Sequence, residues 1–396
     1  MPKALRVAIN GAGIAGPTLA YWLRQLGHAP MLFEKAACPR AGGFVIDFWG
    51  SGYDVAERMG LIDQFAARAH AIDCMRLVDA NGNDRAVLDV GPIRANFGGR
   101  LLSVSRNDIA STILAACDGI PIHFGSSIWN IEQDRGGVTI RLANGQLERF
   151  DLLIGADGLH SQVRALAFAP QKQAERPLGC YVAAFRIANY PHGEKAVLAS
   201  HTRPGQYVAR ISVGQSETLI LMVCGARLLG RPPRREQQRE ALRFAFGDMK
   251  WEVPTMLEAM EEVDDLYFDR VSQIRLPSWS NGRIALVGDA ASCPSFLAGA
   301  GCALAMTQAY ILAGEISVAE GDHQRAFARY EETLRPSVRA TQRSAHFMKG
   351  YFTPRTAAGL QVRDLIVRLL SNPLLAGPLL RRTLAPTLTL PSYPLS

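Results

Sequence analysis

The chain has no uninterrupted apolar run near the roughly 18 residues of a membrane span, no C-x-x-C pair, no internal repeat and no low-complexity linker. The first absence argues against an integral membrane segment. Its cysteines (Cys38, Cys74, Cys117, Cys180, Cys224, Cys293, Cys302) are scattered and odd in number. They suggest neither a disulfide framework nor a zinc site. The opening MPKALRVAINGAG runs straight into a strand and leaves no room for a signal peptide, so the expected compartment is a reducing cytoplasm. The net charge of +7 is uneven: Arg335 to Ser396 carries nine Lys or Arg against one acid, Asp364, and the rest is near neutral. That basic tail lacks nucleic-acid-binding motifs and interleaved aromatics, which argues against a nucleic-acid partner. It suits a solvated helix face with a mild attraction for anionic cofactors. What remains is an ordinary globular composition, 48% hydrophobic and 20% charged, in a chain of 396 residues, long enough for two interlocked domains.

The chain opens with alternating strand and helix. RVAIN is a short strand, GAGIAG a tight turn, PTLAYWLRQLGH a helix with Pro17 in its first turn and Gly27 at its end, and MLFEKA a second strand. Such a βαβ unit implies a parallel sheet with a right-handed crossover. CMRLVDANGNDRAVLDV reads as a hairpin turning at Asn81-Gly82, and Asn107 to Cys117 as a helix. Short strands then turn at Gly136-Gly137 and Asn144-Gly145. Three β-rich runs, CYVAAFRIANY, GQYVARISV and ETLILMVCG, predict an antiparallel sheet. A charged helical stretch, Arg234 to Glu262, follows, and then the strands VSQIRLPSW and GRIALVGDAA. From Cys302 the chain is helical, and Val362, Leu365, Ile366, Leu369 and Leu370 carry the spacing of a packed amphipathic helix. The fold class expected is α/β: a nucleotide-binding domain of residues 1–176 and 268–330, interrupted by a β-sheet domain of 177–267, with a helical segment of 331–396. An interrupted domain places a pocket between domains.

Three motifs carry chemistry. Gly11-Ala12-Gly13-Ile14-Ala15-Gly16 follows a strand and opens a helix. Gly11 permits the tight turn, Gly13 lets a pyrophosphate approach the backbone, and Gly16 lets helix and strand pack. Glu34, next to Lys35 at the end of the second strand, would bond ribose hydroxyls and repel a 2′-phosphate. The adenosine of FAD or NAD both fit at this point. DLLIGADGLHSQVR places Asp157 in a polar turn, where an acid also serves as an ordinary turn residue. GDAASCPSFLAGAG ends a strand in Gly288-Asp289 and leads through Gly299-Ala300-Gly301 into the helix CALAMTQAYILAGEI. A carboxylate there can accept hydrogen bonds from sugar or ribityl hydroxyls, and the helix dipole can stabilise negative charge on a ring carbonyl.

In this order and spacing the three motifs resemble the FAD-dependent monooxygenases of the p-hydroxybenzoate hydroxylase fold. GGFVIDFWGSG resembles the branch of tetracycline-inactivating and antibiotic-tailoring hydroxylases. The resemblance implies a Rossmann-type FAD-binding domain interrupted by an antiparallel β-sheet substrate domain, with C-terminal helices. It makes Arg106 in LLSVSRNDI an FAD contact near the pyrophosphate and ribityl chain, and Asp289 the ribityl-holding acid. Asp157 becomes a largely structural contact to FAD and the nicotinamide cofactor. Gly299, Ala300 and Gly301 form the turn beside the ring, Asp47 is an FAD contact, and Arg40 is an NADPH contact. Ser292 stands where the family often has a histidine, and Gln308 where it has an acid.

The activity implied is insertion of one oxygen atom from O2, through a flavin C4a-(hydro)peroxide, into an aromatic or polyketide-like small molecule, by a monomer or homodimer. NADPH or NADH would bind transiently, since no second strand–GxGxxG–helix unit exists. Substrate would lie between the flavin and the sheet of 177–227, where Phe185, Arg186, Tyr207, Arg210 and Met222 are candidates on strands of which one face alone can line the pocket. No side chain stands out as a general base, and Cys224 and Cys293 read as structural. A Baeyer–Villiger enzyme, epoxidase or reductase of the same fold is an alternative. A dehydrogenase using the first motif alone leaves Arg106, Asp157 and residues 288–301 without a purpose. A halogenase lacks its W-x-W-x-I-P motif, and a membrane-associated scaffold draws only on the apolar, basic C-terminus.

Overall fold

The structure, a computed structural model, describes residues 4–39, 44–190, 194–213, 216–230, 232–371 and 388–394. A six-stranded sheet forms the first layer, in the order Ser280–Asn281, Ile284–Leu286, Leu152–Gly155, Arg6–Asn10, Ala29–Glu34, Ile122–Phe124. All neighbours pair in parallel except the first. Val7, Ala8, Ile9, Leu32, Phe33, Leu153 and Ile154 are fully buried. Their apolar runs suit strands covered on both faces. Helices Ala15–Gln25 and Gly301–Val318 pack together against this core. Gly301–Val318 is long and apolar enough to cross a membrane by length and composition, yet most of it is buried here.

A seven-stranded sheet forms the second layer, in the order Tyr267–Ile274, Glu175–Ala188, Glu217–Gly225, Gln206–Val213, Val197–Arg203, Cys74–Val78, Asp84–Asp89. It is antiparallel apart from the parallel pairing of Val197–Arg203 with Cys74–Val78. The expected hairpin forms, with Gly82 at φ +86°, but it joins this sheet instead of the 1–176 unit. A hairpin's alternation sets its own turn; the sheet edge it joins is chosen by long-range pairing. One face of the sheet (Tyr181, Phe185, Val208, Ile220, Met222) packs on helices Gln238–Phe246 and Val253–Ala259. These two helices replace the single stretch expected, which breaks around Trp251, a residue in the left-handed region at φ +63°. The opposite face (Val182, Ala184, Tyr207, Ala209, Ile211, Leu219, Leu221) meets Phe44, Val45, Phe296 and Leu297.

The C-terminal helix Ala357–Leu370 turns most of the expected packed set outward, and of that set Leu370 alone packs inward, against Leu77, Ala86, Leu88 and Val367. Val362 and Leu365 are 57% and 56% exposed, with Ile366 and Leu369 also outward, while Leu360, Arg363, Asp364 and Val367 are buried. Both sets have helical spacing, so apolar periodicity could not choose between them. Polar anchors did: Arg363 Nη1 donates to Thr202 Oγ1 at 2.6 Å, and Asp364 pairs with Arg85 at 2.8 Å. Leu365→Ser is therefore expected to change stability by less than about 0.5 kcal/mol. Val367→Ala, which removes two buried carbons and leaves a cavity, should cost about 2 kcal/mol. Thermal unfolding of the two variants checks this ordering.

Candidate functional site

Glycine is needed at the first turn for want of space. Gly11 sits at φ +113°, and a Cβ there would lie 2.5 Å from the Ala156 carbonyl oxygen; one on Gly16 would lie 1.9 Å from that of Gly11. Gly13 differs, because nothing lies within 4 Å of the corresponding point. Its bare backbone therefore faces open space beside the N-terminus of helix Ala15–Gln25, which no side chain caps. Free N–H groups and a positive dipole end make this a cradle for a pyrophosphate. Glu34 is fixed at the end of its strand by accepting hydrogen bonds from the amides of Ala12 and Ala36, both at 2.9 Å. Lys35 is exposed beside it.

The second turn is braced internally. Asp157 accepts from Asn10 Nδ2 at 2.9 Å and from the amides of Gln162 and Val163 at 2.7 and 3.1 Å. It thereby joins the first strand to the helix Gln162–Ala167. Arg164, fully buried, donates to the carbonyls of Leu159 and Ala290 at 2.6 and 2.9 Å. It thus ties the 157–161 turn to the short helix Asp289–Ser292. Ala15 completes the junction, its Cβ 2.9 Å from where a Cβ of Gly288 would stand.

Around Asp289 the electrostatics describe a recess. Burial raises the Asp289 carboxyl above its ordinary range, while Arg106 and a hydrogen bond with Cys293 pull it down. Burial works against the Arg106 charge, but interactions with Cys302, Asp289 and Tyr267 outweigh it and hold the proton more firmly. Burial holds the Cys302 thiol up to about 11 and the Tyr267 phenol well above its usual range, so both stay protonated at neutral pH. Asp47 and Tyr267 are accessible to solvent. Burial nonetheless raises the Asp47 carboxyl, against the opposing effects of Ser103 and Arg94. Asp47 accepts from Ser103 Oγ at 2.7 Å across the two-stranded ribbon Val45–Trp49 and Leu101–Ser105, immediately before Arg106. Gly299, at φ +63°, and Gly301 flank Ala300, which caps the helix Gly301–Val318 without a side-chain bond. Arg40 lies outside the described residues.

The substrate-side candidates divide by face. Arg186 shares a face with Ala184; it donates to Ser105 Oγ at 3.1 Å and pairs with Glu217 at 2.9 Å. Tyr207 is on the same face, buried, with its ring 5.0 Å from that of Phe352. Phe185 and Met222 face the other way, into the core under the outer helices. Arg210 is on that side too, paired with Glu194 and Glu252 and facing the Trp251 ring. The strand period of two left both phases open. Asn10, Arg164 and Tyr267 escaped notice as site residues, because their roles depend on partners more than 100 residues away in sequence.

A family described as FAD binding domain matches residues 4–345. A flavin-dependent monooxygenase from an unidentified prokaryote is 36% identical, over 99% of this chain and 100% of its own. Another, from Legionella longbeachae, is 34% identical over 99% of both chains. The solved structure of tetracycline destructase Tet(55) has a TM-score of 0.85 at 33% identity, covering 99% of this chain and 100% of that one.

Two predictions follow from this geometry. Gly13→Ala should leave apoprotein stability unchanged yet abolish tight dinucleotide binding, whereas Gly16→Ala should lower the apoprotein Tm itself; calorimetry and ligand titration separate them. The folded-state pKa of Asp289 is raised, so its ionisation opposes folding of the apoprotein, and stability present at low pH is lost as pH rises through its folded pKa. Asp289→Asn should therefore raise the apoprotein Tm at pH 7, with the gap closing below about pH 4.

Proposed function

The chain belongs to the FAD binding domain family and is a flavin-dependent monooxygenase, and from that premise we propose that it oxygenates a planar aromatic or polyketide-like molecule at the cleft between its two sheets. FAD, when bound, supplies the redox chemistry, accepting a hydride from NADPH or NADH and activating O2 in its reduced form. The chain's own residues hold and shield it. Gly13 and the helix start behind it take the pyrophosphate, Glu34 the ribose, and Asp289 with Arg106 the ribityl chain. The positive end of helix Gly301–Val318 favours negative charge on the reduced ring. Asp157 acts through the turn it braces.

One observation carries the substrate assignment: the apolar sheet face meets the chain just ahead of Gly299. Phe44 lies 5.0 Å from Phe296 and 5.8 Å from Tyr267, ring to ring, and Phe44 and Phe296 sit against the Val182, Ala184, Ile211, Leu219 and Leu221 surface. An apolar wall with aromatic edges suits a flat carbon skeleton and excludes water from the reacting centre. Arg186 and Asp47 supply polar groups at its edge, fit to orient a hydroxyl or enolate. An electron-rich phenol or enol needs no protein nucleophile, consistent with the lack of an evident general base. All seven cysteines are free thiols, which supports a cytoplasmic setting.

NAD(P)H consumption should be screened across phenols, polyketides and tetracyclines under 18O2. A substrate should stimulate consumption and take up one labelled atom. Stimulated consumption with no label in any product would contradict oxygenation. With that substrate, Arg186→Met should raise KM about tenfold, the loss of one charged hydrogen bond. Phe185→Leu and Met222→Leu should leave KM unchanged.

A further inference from the structure

Ser292 and Gln308, two departures from the family pattern, touch each other. Gln308 Nε2 donates to Ser292 Oγ at 3.0 Å. Gln308 is fully buried within helix Gly301–Val318, and its Oε1 accepts from the Gly288 amide at 2.9 Å and the Tyr330 hydroxyl at 3.1 Å. Gly288 adopts φ +65°, ψ −142°, a conformation that residues with a Cβ rarely take, and Ala15 stands 2.9 Å from where that Cβ would be. The Gly288 amide is buried beside Asp289, and without an acceptor it would be an orphaned donor. Tyr330, on the helix His323–Phe352, also reaches the Leu286 carbonyl at 3.1 Å. Gln308 thus joins the Gly288 turn to the short helix Asp289–Ser292 and, through Tyr330, to a C-terminal helix and the end of a strand.

We infer that Gln308 is a positioning residue for FAD: its amide holds the Gly288 turn, and through it the Asp289 carboxylate, without placing an ionisable group behind the flavin site. The inference rests on Asp289 contacting FAD. The charged or titratable groups around the turn are Asp289, Cys293, Arg106, Arg164 and Tyr330. Burial and neighbouring Glu331 keep the Tyr330 phenol protonated, so it remains a donor. A protonated glutamic acid at position 308 could reproduce both halves of the amide, its carbonyl accepting from Gly288 and its hydroxyl donating to Ser292. Once ionised, it would put a buried negative charge close to Asp289 and the cofactor.

The test measures FAD dissociation constants and bound-flavin spectra for wild type, Gln308→Leu and Gln308→Glu from pH 6.5 to 8.5. Gln308→Leu should bind FAD at least about tenfold more weakly, because the Gly288 amide and the Ser292 hydroxyl lose their mate while Tyr330 keeps the Leu286 carbonyl. Gln308→Glu should bind within about threefold of wild type at pH 6.5 and weaken about tenfold or more by pH 8.5 as the buried carboxyl ionises, while wild type stays flat. Apoprotein melts over the same pH range separate the two roles: affinity lost from protein that stays folded reports positioning, and affinity lost only where the apoprotein itself melts would overturn the inference. Wild-type affinity in Gln308→Leu, or a flat profile in Gln308→Glu, would overturn the inference. Failure of wild type to bind FAD would instead contradict the functional reading.

Discussion

Three turns meet in this protein at a spacing that side chains cannot share. The turn after Arg6–Asn10 presses against the turn after Leu152–Gly155 through Gly11, and against itself through Gly16. The turn after Ile284–Leu286 closes on Ala15 through Gly288. These are the carboxyl ends of three neighbouring parallel strands, the side of an α/β sheet where ligands gather. Such close approach commits the backbone to left-handed or otherwise glycine-only conformations at buried positions, and polar side chains then satisfy what the turns expose. Asp157, Arg164, Gln308 and Glu34 each do so with named partners. The proposed cofactor site is thus a by-product of how tightly the strand ends are drawn together.

The rest of the architecture follows from that junction. The chain leaves it after Gly155, builds the long strands of the second sheet and returns through Tyr267–Ile274 to the Gly288 turn. The returning strand places Tyr267 beside Phe44, and the segment through Phe296 meets the sheet's apolar face at the same place. Arg210, with its carboxylate partners and Trp251, belongs to the far side of that sheet, where it braces the outer helices.

Much of this was legible in the residues. Glycine spacing, Glu34 and the strand-end acids Asp157 and Asp289 mark the three turns that the structure brings together, because each depends on local backbone geometry or on one residue type at a strand terminus. Properties set by distant pairing were not legible. Phe185 and Met222 satisfy an alternating pattern whichever face is inward, and helices Gln238–Phe246 and Val253–Ala259 decide the matter. The hairpin of Cys74–Asp89 shows its turn but not the sheet it joins. Leu365 and Val367 lie on opposite sides of a helix whose orientation is set by Arg363 and Asp364, charges that an apolar-period argument passes over. Gln308 looks like a lost acid until its three partners are seen.

The central claim is that the Gly11–Gly16 turn and the Gly288–Gly301 region, nearly the length of the chain apart, hold two ends of one molecule. Calorimetric titration of the apoprotein with FAD, ADP and riboflavin tests it directly. If both ends are held on one rigid frame, FAD should bind one per chain and at least about a hundredfold more tightly than either fragment, since the second contact becomes intramolecular. ADP binding as tightly as FAD would mean that the Asp289 region contributes nothing, and would contradict the account.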